Sequence, residues 1–123
     1  MSIESIAQRL VKLCREGKSD QAQQELYAAD AVSIEPEGLP PGTLGHAKGL
    51  AAIAEKERQF KARIEAFHGS TWSEPVVAGN WFSAAVTLDA TFKGRGRAKM
   101  EEVAVYRVRG GKIVQEQFFY DVG

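Results

Sequence analysis

The sequence predicts an α+β fold in which N-terminal helices pack on one side of a strongly curved, mainly antiparallel sheet. Apolar residues recur at helical spacing from Ile3 to Cys14. The stretch from Trp81 to Phe92 alternates apolar and polar residues, as in a half-buried strand. Two further strand-like runs flank Gly110-Gly111, a pair suited to the positive φ of a tight hairpin turn. Helices first and strands afterwards indicate α+β, and a length of 123 residues fits a single domain over residues 1–123.

The apolar helix opens the chain, and a short second helix follows it. Ser2 can cap the first helix, because a hydroxyl at that position accepts a hydrogen bond from a backbone N–H of the first turn. The second helix is expected from Ser19 to Tyr27. Val32 and Ile34 then indicate a short strand, which Pro36 ends because proline has no N–H to donate.

The middle of the chain is predicted as a loop followed by a long helix. Proline and glycine recur from Pro36 to Gly45, which is typical of a loop and allows either a lid or a rigid connector. The helix is expected from His46 to about Phe67, with Glu57 and Lys61 spaced for an ion pair on its exposed side. Its buried side is expected to comprise Leu50, Ile53, Phe60, Ile64 and Phe67.

The remaining strands are expected to form a four-stranded antiparallel meander. In the last of them, alternation predicts that Ile113 faces one side and that Val114, Glu116 and Phe118 face the other. Each side then mixes apolar and polar groups. This mixture indicates a sheet that is covered on both faces, by helices on one and by a partner subunit on the other.

Composition and charge exclude several classes of partner. The chain has 16 basic and 16 acidic residues among 123, and its net charge of +0 indicates neither nucleic acid nor an anionic membrane. No apolar run approaches the roughly 20 residues of a membrane span, and the N-terminus lacks a signal-peptide pattern, which favours a cytoplasmic protein. Cys14 is the single cysteine, so no internal disulfide is expected. Two histidines and scattered acids lack metal-ligand spacing, and neither a metal nor another cofactor is expected.

Three stretches carry a resemblance that covers essentially the whole chain. They are the helical start that leads to Ala-Ala-Asp-Ala-Val-Ser-Ile-Glu-Pro (28–36), the long helix after Gly45, and the ending Val-Tyr-Arg-Val-Arg-Gly-Gly-Lys-Ile-Val-Gln-Glu-Gln-Phe-Phe-Tyr-Asp (105–121). Together they resemble the nuclear transport factor 2-like superfamily and, within it, the SnoaL-like (polyketide cyclase-like) group. The resemblance implies a cystatin-like cone in which helices and a curved sheet enclose a hydrophobic pocket. It also implies a small apolar ligand and a homodimer through the outer sheet face.

The resemblance assigns the chemistry to carboxylates. In the similar ketosteroid isomerases, the residue just before the proline after the first strand is the general base, and Glu35 holds that position here. Their two oxyanion donors match Leu10 and Ala104, which have no donor, so a steroid isomerase is not expected. Mapped in the same way, Glu102 and Glu116 point inward from neighbouring strands, where two carboxylic acids can share a proton. The expected ligand-binding side chains are Tyr27, Trp72, Tyr106, Phe118 and Tyr120.

The sequence leaves two functions open. One is a cofactor-independent cyclase, isomerase or lyase that acts on a small apolar carbonyl or polyketide-like compound by carboxylate acid/base chemistry. Glu35 would be its base and Glu102 or Glu116 its acid. The other is a non-catalytic module of the same fold that binds a small ligand or dimerises, with the same acids solvated or paired with Lys or Arg at the sheet rim.

Overall fold

Three helices pack against a curled seven-stranded sheet in the computed structural model, which describes residues 1–39 and 45–121. The helices are α1 (Ile3–Arg15), α2 (Ser19–Leu26) and α3 (Leu50–Ala62). The strands are β1 (Tyr27–Ile34), β2 (Ala47–Lys48), β3 (Ile64–Trp72), β4 (Val76–Ala78), β5 (Trp81–Phe92), β6 (Gly96–Arg109) and β7 (Lys112–Phe119). The predicted α+β architecture, with helices on a mainly antiparallel curved sheet, is confirmed.

Helix α1 and the inner sheet face build the core. The Ser2 hydroxyl accepts a hydrogen bond from the Ser5 N–H at 3.1 Å, so the predicted cap is present. Across the interior, the rings of Phe82 and Tyr106 stack with their centroids 4.8 Å apart. Within the described residues, no helix is long and apolar enough to cross a membrane. The buried residues of α1 are Ile6, Ala7, Leu10, Val11 and Leu13.

The strands follow the order β2-β1-β7-β6-β5-β3, and β4 pairs with β5 outside that path. Antiparallel pairing joins β3 to β5, β5 to β6 and β6 to β7, as the predicted meander requires. The meander prediction missed one neighbour, because β1 lies parallel to β7, with Ser33 opposite Glu116. This parallel pairing brings polar residues of the first strand beside those of the last.

The predicted helix from His46 to Phe67 is wrong at both ends. Helix α3 covers Leu50–Ala62, and the chain from Ile64 onwards is β3. Ile64 and Phe67 have helical spacing, but β3 pairs with β5 along its length, and these non-local hydrogen bonds override the local pattern. Of the expected buried side, Ile53 is buried, Leu50, Phe60 and Ile64 are half-buried, and Phe67 is 62% exposed. The expected ion pair is present, with Lys61 Nζ 3.0 Å from Glu57 Oε1.

The boundary between the second helix and the first strand also differs from the prediction. The sequence places Tyr27 at the end of the helix, whereas Tyr27 begins β1, which continues to Ile34. The loop predicted from Pro36 to Gly45 includes residues 40–44, which lie outside the described residues. Its role as a lid or a rigid connector therefore stays a prediction.

A β-bulge in β7 decides which side chains reach the interior. Gly110 and Gly111 have φ values of 59° and 76° and form the predicted turn between β6 and β7. Val108 pairs with Ile113 and its neighbour Arg107 pairs with Gln115, so Val114 is an extra, unpaired residue in β7. Ile113 and Glu116 therefore share the inner face, at 0% and 6% exposure. Strict alternation, which predicts opposite faces for these two residues, is wrong here.

Candidate acid–base site

Glu116 lies at the inner end of a hydrogen-bonded cluster. Its Oε2 accepts a hydrogen bond from the Ser33 hydroxyl at 2.7 Å, and its Oε1 accepts another from the Tyr27 hydroxyl. Both donors belong to β1, which the parallel pairing places beside β7. Burial raises the pKa of the Glu116 carboxyl, and the two hydrogen bonds and the charge of Lys56 oppose this rise in part. Glu116 is thus a buried acid with both oxygens occupied.

Lys56 on α3 links this buried end to a second carboxylate, Glu35. The lysine Nζ lies 2.8 Å from the Ser33 hydroxyl and 2.5 Å from Glu35 Oε1. The Tyr120 hydroxyl donates to Glu35 Oε2 at 2.8 Å, and the Glu35 N–H donates to His46 Nδ1 at 3.1 Å. Burial and the bond to Glu35 raise the pKa of the Tyr120 hydroxyl, which keeps it a donor. Glu35 is 9% exposed, so it is not a solvated strand end.

Glu102 projects from the inner face of β6 and is half-buried. Burial, followed by the negative charges of Glu35 and Glu116, raises the pKa of its carboxyl to about 7, against the opposing charge of Lys56. Within residues 1–39 and 45–121, no group donates a hydrogen bond to this carboxyl. A carboxyl that is partly protonated at neutral pH and lacks an internal partner can exchange a proton with a ligand.

Apolar side chains continue from Glu102 along the inner face. Val86 lies opposite Glu102, and Leu88 lies opposite Met100 two residues further along the strands. Val86 is buried, and the other two apolar residues are half-buried. The carboxyl group is therefore flanked by apolar surface on its own sheet face.

The structure brings together most of the site residues that the sequence predicts. Glu35 and Glu116 join one cluster with Tyr27 and Tyr120 through the bonds described above. Phe118 lies against the same lysine, with Lys56 Nζ 5.5 Å from the centroid of the phenyl ring. Their contact with a ligand stays a prediction.

Glu102 and Glu116, in contrast, do not meet as the predicted proton-sharing pair. Tyr106, not Glu102, lies opposite Glu116, and Glu102 lies four positions from Tyr106 along β6, about 13 Å of strand. Tyr106 is 2% exposed and stacks on Phe82 in the core. Trp72 is half-buried on β3, where it packs against the core cluster. The predicted ligand contacts of Tyr106 and Trp72 also stay predictions.

Lys56 and Ser33 connect the two carboxylates of the cluster and were not among the predicted site residues. Lys56 follows Ile53 by three residues and precedes Phe60 by four, so helical periodicity places it on the inward side of α3. A lysine on an apolar helix face signals a carboxylate partner, because buried charges are paired. Ser33 carries a weaker signal, since its role depends on the parallel pairing of β1 with β7.

Other polar side chains form hydrogen bonds or ion pairs on the surface, away from this cluster. Arg97 forms an ion pair with Asp89 at 2.9 Å, and His68 Nε2 lies 2.7 Å from Thr91 Oγ1. In the part of the chain that the structure describes, no group of three or more His, Cys, Asp and Glu side chains is arranged to hold a metal ion.

The SnoaL-like domain model matches residues 1–120 of the chain. The chain is also similar to the crystal structure of a SnoaL-like polyketide cyclase candidate from Mesorhizobium loti. That similarity has 31% sequence identity and a TM-score of 0.89, and it covers 98% of this chain and 100% of that chain. No protein of curated function matches.

Two more distant structures support the fold alone. A nuclear transport factor 2-like protein of unknown function from Burkholderia pseudomallei is 20% identical, with a TM-score of 0.80 and coverage of 98% of this chain and 92% of that chain. TerC, co-crystallised with polyporic acid, is 18% identical, with a TM-score of 0.75 and coverage of 95% and 89%. The single domain expected over residues 1–123 stays a prediction. Because the family model and the Mesorhizobium loti structure both match nearly the whole chain, the protein belongs to the SnoaL-like domain family.

Proposed function

We propose that the protein is a cofactor-independent cyclase, isomerase or lyase that uses carboxylate acid/base chemistry. This proposal rests on the arrangement of two carboxyl groups, those of Glu35 and Glu102. Glu35 is held by Lys56 and Tyr120, whereas Glu102 has no internal partner in the described part of the chain. The strand register supports the proximity of Glu35 and Glu102. Val103 and Phe119 are the last paired residues of β6 and β7, so Glu102 and Tyr120, the next residues, lie side by side. Tyr120 in turn donates a hydrogen bond to Glu35.

Glu35 serves as the base in this proposal, and Glu102 serves as the acid. Glu35 carries the negative charge of the ion pair with Lys56 and can accept a proton from the carbon next to a carbonyl. Glu102, with a pKa near 7, can hold a proton at neutral pH and deliver it to the product. Glu102 is preferred to Glu116 as the acid, because Glu102 is half-buried and accepts no hydrogen bond within the described residues. Glu116 is 6% exposed and accepts hydrogen bonds from Tyr27 and Ser33.

The surroundings of Glu102 support a small, mostly apolar carbonyl or polyketide-like substrate. Leu88 and Met100 offer half-buried apolar surface beside the carboxyl, and Phe118 and Tyr120 add aromatic rings. Aromatic and aliphatic walls with a few convergent polar groups are typical of small-molecule sites. The similarity to the Mesorhizobium loti polyketide cyclase candidate favours the same substrate class.

We also propose a homodimer through the outer sheet face. Val103 and Phe119 lie opposite each other on β6 and β7 and point away from the core, at 45% and 49% exposure. Trp81 on β5 is 39% exposed and adds a third apolar side chain. Large exposed apolar side chains on one sheet face favour a protein–protein interface.

Exchange of α-protons for deuterium tests the enzymatic proposal without knowledge of the natural substrate. A panel of small cyclic ketones and β-diketones is incubated with the protein in D₂O and followed by proton NMR. We expect the protein to accelerate exchange in at least one compound, and Glu35→Gln or Glu102→Gln to slow it by about 100-fold.

Glu101→Gln is the matched control, because Glu101 neighbours Glu102 but is exposed on the opposite face. It should leave the exchange rate unchanged. Exchange that survives in both site variants contradicts the assignment of the carboxylates. Binding of panel compounds with no exchange in any of them favours the alternative, a non-catalytic ligand-binding module.

A further inference from the structure

Lys56 is a cation enclosed by acidic and aromatic groups. Its Nζ contacts Glu35 Oε1 at 2.5 Å and the Ser33 hydroxyl at 2.8 Å, and it lies 5.5 Å from the centroid of the Phe118 ring. Through Ser33 the same ammonium is linked to Glu116. The lysine side chain retains 13% exposure, so it is not completely buried. An ammonium in such a place interacts strongly with any anion that forms next to it.

Apolar residues stand where the similar isomerases have their oxyanion donors. Leu10 and Ala104 stand at the positions that match the oxyanion donors of the similar isomerases, and both are buried, at 1% and 0% exposure. Ser33 donates its proton to Glu116, and Tyr120 donates its proton to Glu35. An enolate formed beside Glu35 therefore needs another source of positive charge or of hydrogen bonds.

We propose that Lys56 is a catalytic residue whose ammonium group stabilises the negative charge that develops on the substrate oxygen when Glu35 removes the α-proton. This inference rests on the proposed function, and it narrows the substrate to a carbonyl compound whose oxygen can lie beside Lys56 Nζ. The lysine would thus replace the missing hydroxyl and carboxylic acid donors.

The step balances within the site. Before the reaction, the Lys56 ammonium faces the Glu35 carboxylate. Glu35 takes the proton from the α-carbon and becomes a neutral acid, the C–H electron pair forms the new C=C bond, and the carbonyl π electrons move onto oxygen. The ammonium then faces the enolate instead of the carboxylate, and the net charge of the site is unchanged. Because the cation is already in place, little reorganisation is needed.

Binding of 4-nitrophenol tests this inference independently of turnover. Its ionised form imitates an enolate, since the charge rests on an oxygen attached to a trigonal carbon, and it absorbs at a longer wavelength than the neutral phenol. We expect Glu35→Gln to bind the phenolate about tenfold more tightly than the unaltered protein, because Lys56 loses its competing carboxylate. The double variant Glu35→Gln with Lys56→Met should lose at least about tenfold of that affinity.

The double variant also guards against misfolding, because it leaves no unpaired carboxylate at position 35. Lys56→Arg in the Glu35→Gln background should retain phenolate binding. Lys61→Gln is the matched control, since Lys61 is an exposed lysine on the same helix, and it should leave phenolate binding unchanged.

Equal phenolate affinity in the single and double variants overturns the inference, as does an absence of phenolate binding in Glu35→Gln. If Glu35 proves essential for α-proton exchange while phenolate binding is independent of Lys56, this inference fails and the proposed function stands. If phenolate binding depends on Lys56 but no compound exchanges its α-protons, the proposed function fails, and the catalytic role of Lys56 fails with it.

Discussion

Glu102 holds a proton in the folded protein that the unfolded chain releases more readily. Its pKa rises from an ordinary value of 4.5 to about 7, chiefly through burial, so between these pH values the folded state binds more protons. The stabilising contribution of this group is therefore fully present below pH 4.5 and is lost as the pH rises through 7. Burial of Glu116 acts in the same direction.

Glu102→Gln should remove this dependence, because glutamine does not titrate. The free energy of unfolding of the variant, relative to the unaltered protein, should increase by about 1–2 kcal/mol between pH 4.5 and pH 8, after allowance for solvent screening of a half-buried group. Urea unfolding followed by circular dichroism at several pH values measures the difference. A difference that is independent of pH would contradict the raised pKa.

Ser33 provides a second test at the residue scale. It is 0% exposed, donates to Glu116 and accepts from Lys56. Ser33→Ala should lower the free energy of unfolding by about 1–3 kcal/mol, since it removes both of these hydrogen bonds and leaves a buried carboxylate oxygen of Glu116 without its donor. Ser83→Ala, at a half-buried position on β5, should cost less than about 0.5 kcal/mol, and equal losses for both variants would argue against the cluster.

The carboxylates of the site could be predicted from the sequence, whereas Lys56, which connects them, was not predicted. Glu35 stands out because it precedes Pro36, and Glu116 because it follows a glycine hairpin. Lys56 could have been found from its spacing to Ile53 on α3. The bonds of Glu116 to Tyr27 and Ser33 could not, because they depend on a parallel pairing between strands that lie more than 80 positions apart.

At the scale of elements, the Gly110-Gly111 turn connects β6 to β7 just before the bulge. Gly111 has a φ of 76°, and no atom lies within 4 Å of the place that a Cβ would occupy, so a side chain there would be strained by the backbone alone. Gly111→Ala should therefore cost about 1 kcal/mol of unfolding free energy. Gly69→Ala is the control, because Gly69 lies in β3 without a positive φ and also has open space. Thermal unfolding that is equally affected by both substitutions would contradict this account.

The elements that the sequence predicts well are those whose local pattern agrees with their pairing. The strand from Trp81 to Phe92 alternates cleanly and appears with those bounds as β5. The predicted boundary between α3 and β3 is wrong, since Ile64 and Phe67 fit both a helical face and a strand. Pairing with β5 makes this segment a strand, and that pairing is not visible in the local sequence. Likewise the bulge at Val114 has no local mark in the sequence, and it moves Ile113 to the face of Glu116.

At the scale of the whole molecule, the outer sheet face is the surface that the proposed dimer would bury. Val103 and Phe119 form an exposed apolar pair in the middle of β6 and at the end of β7, where they are 45% and 49% exposed. Arg107 lies over the Trp81 ring on the same side of the sheet, with 5.4 Å between its guanidinium carbon and the ring centroid. Aromatic residues and arginine are enriched at protein–protein interfaces.

Analytical ultracentrifugation should therefore give an apparent mass near twice 13.5 kDa. The double substitution Val103→Lys and Phe119→Lys should shift the protein to the monomer, because it places two like charges from each subunit against the partner's apolar surface. Phe67→Lys is the control, since Phe67 is 62% exposed but pairs with Ala90, whose side chain faces the core rather than the outer face. It should leave the mass unchanged. A monomer at high protein concentration before any substitution would refute the dimer, and a monomer caused by Phe67→Lys would place the interface on another face.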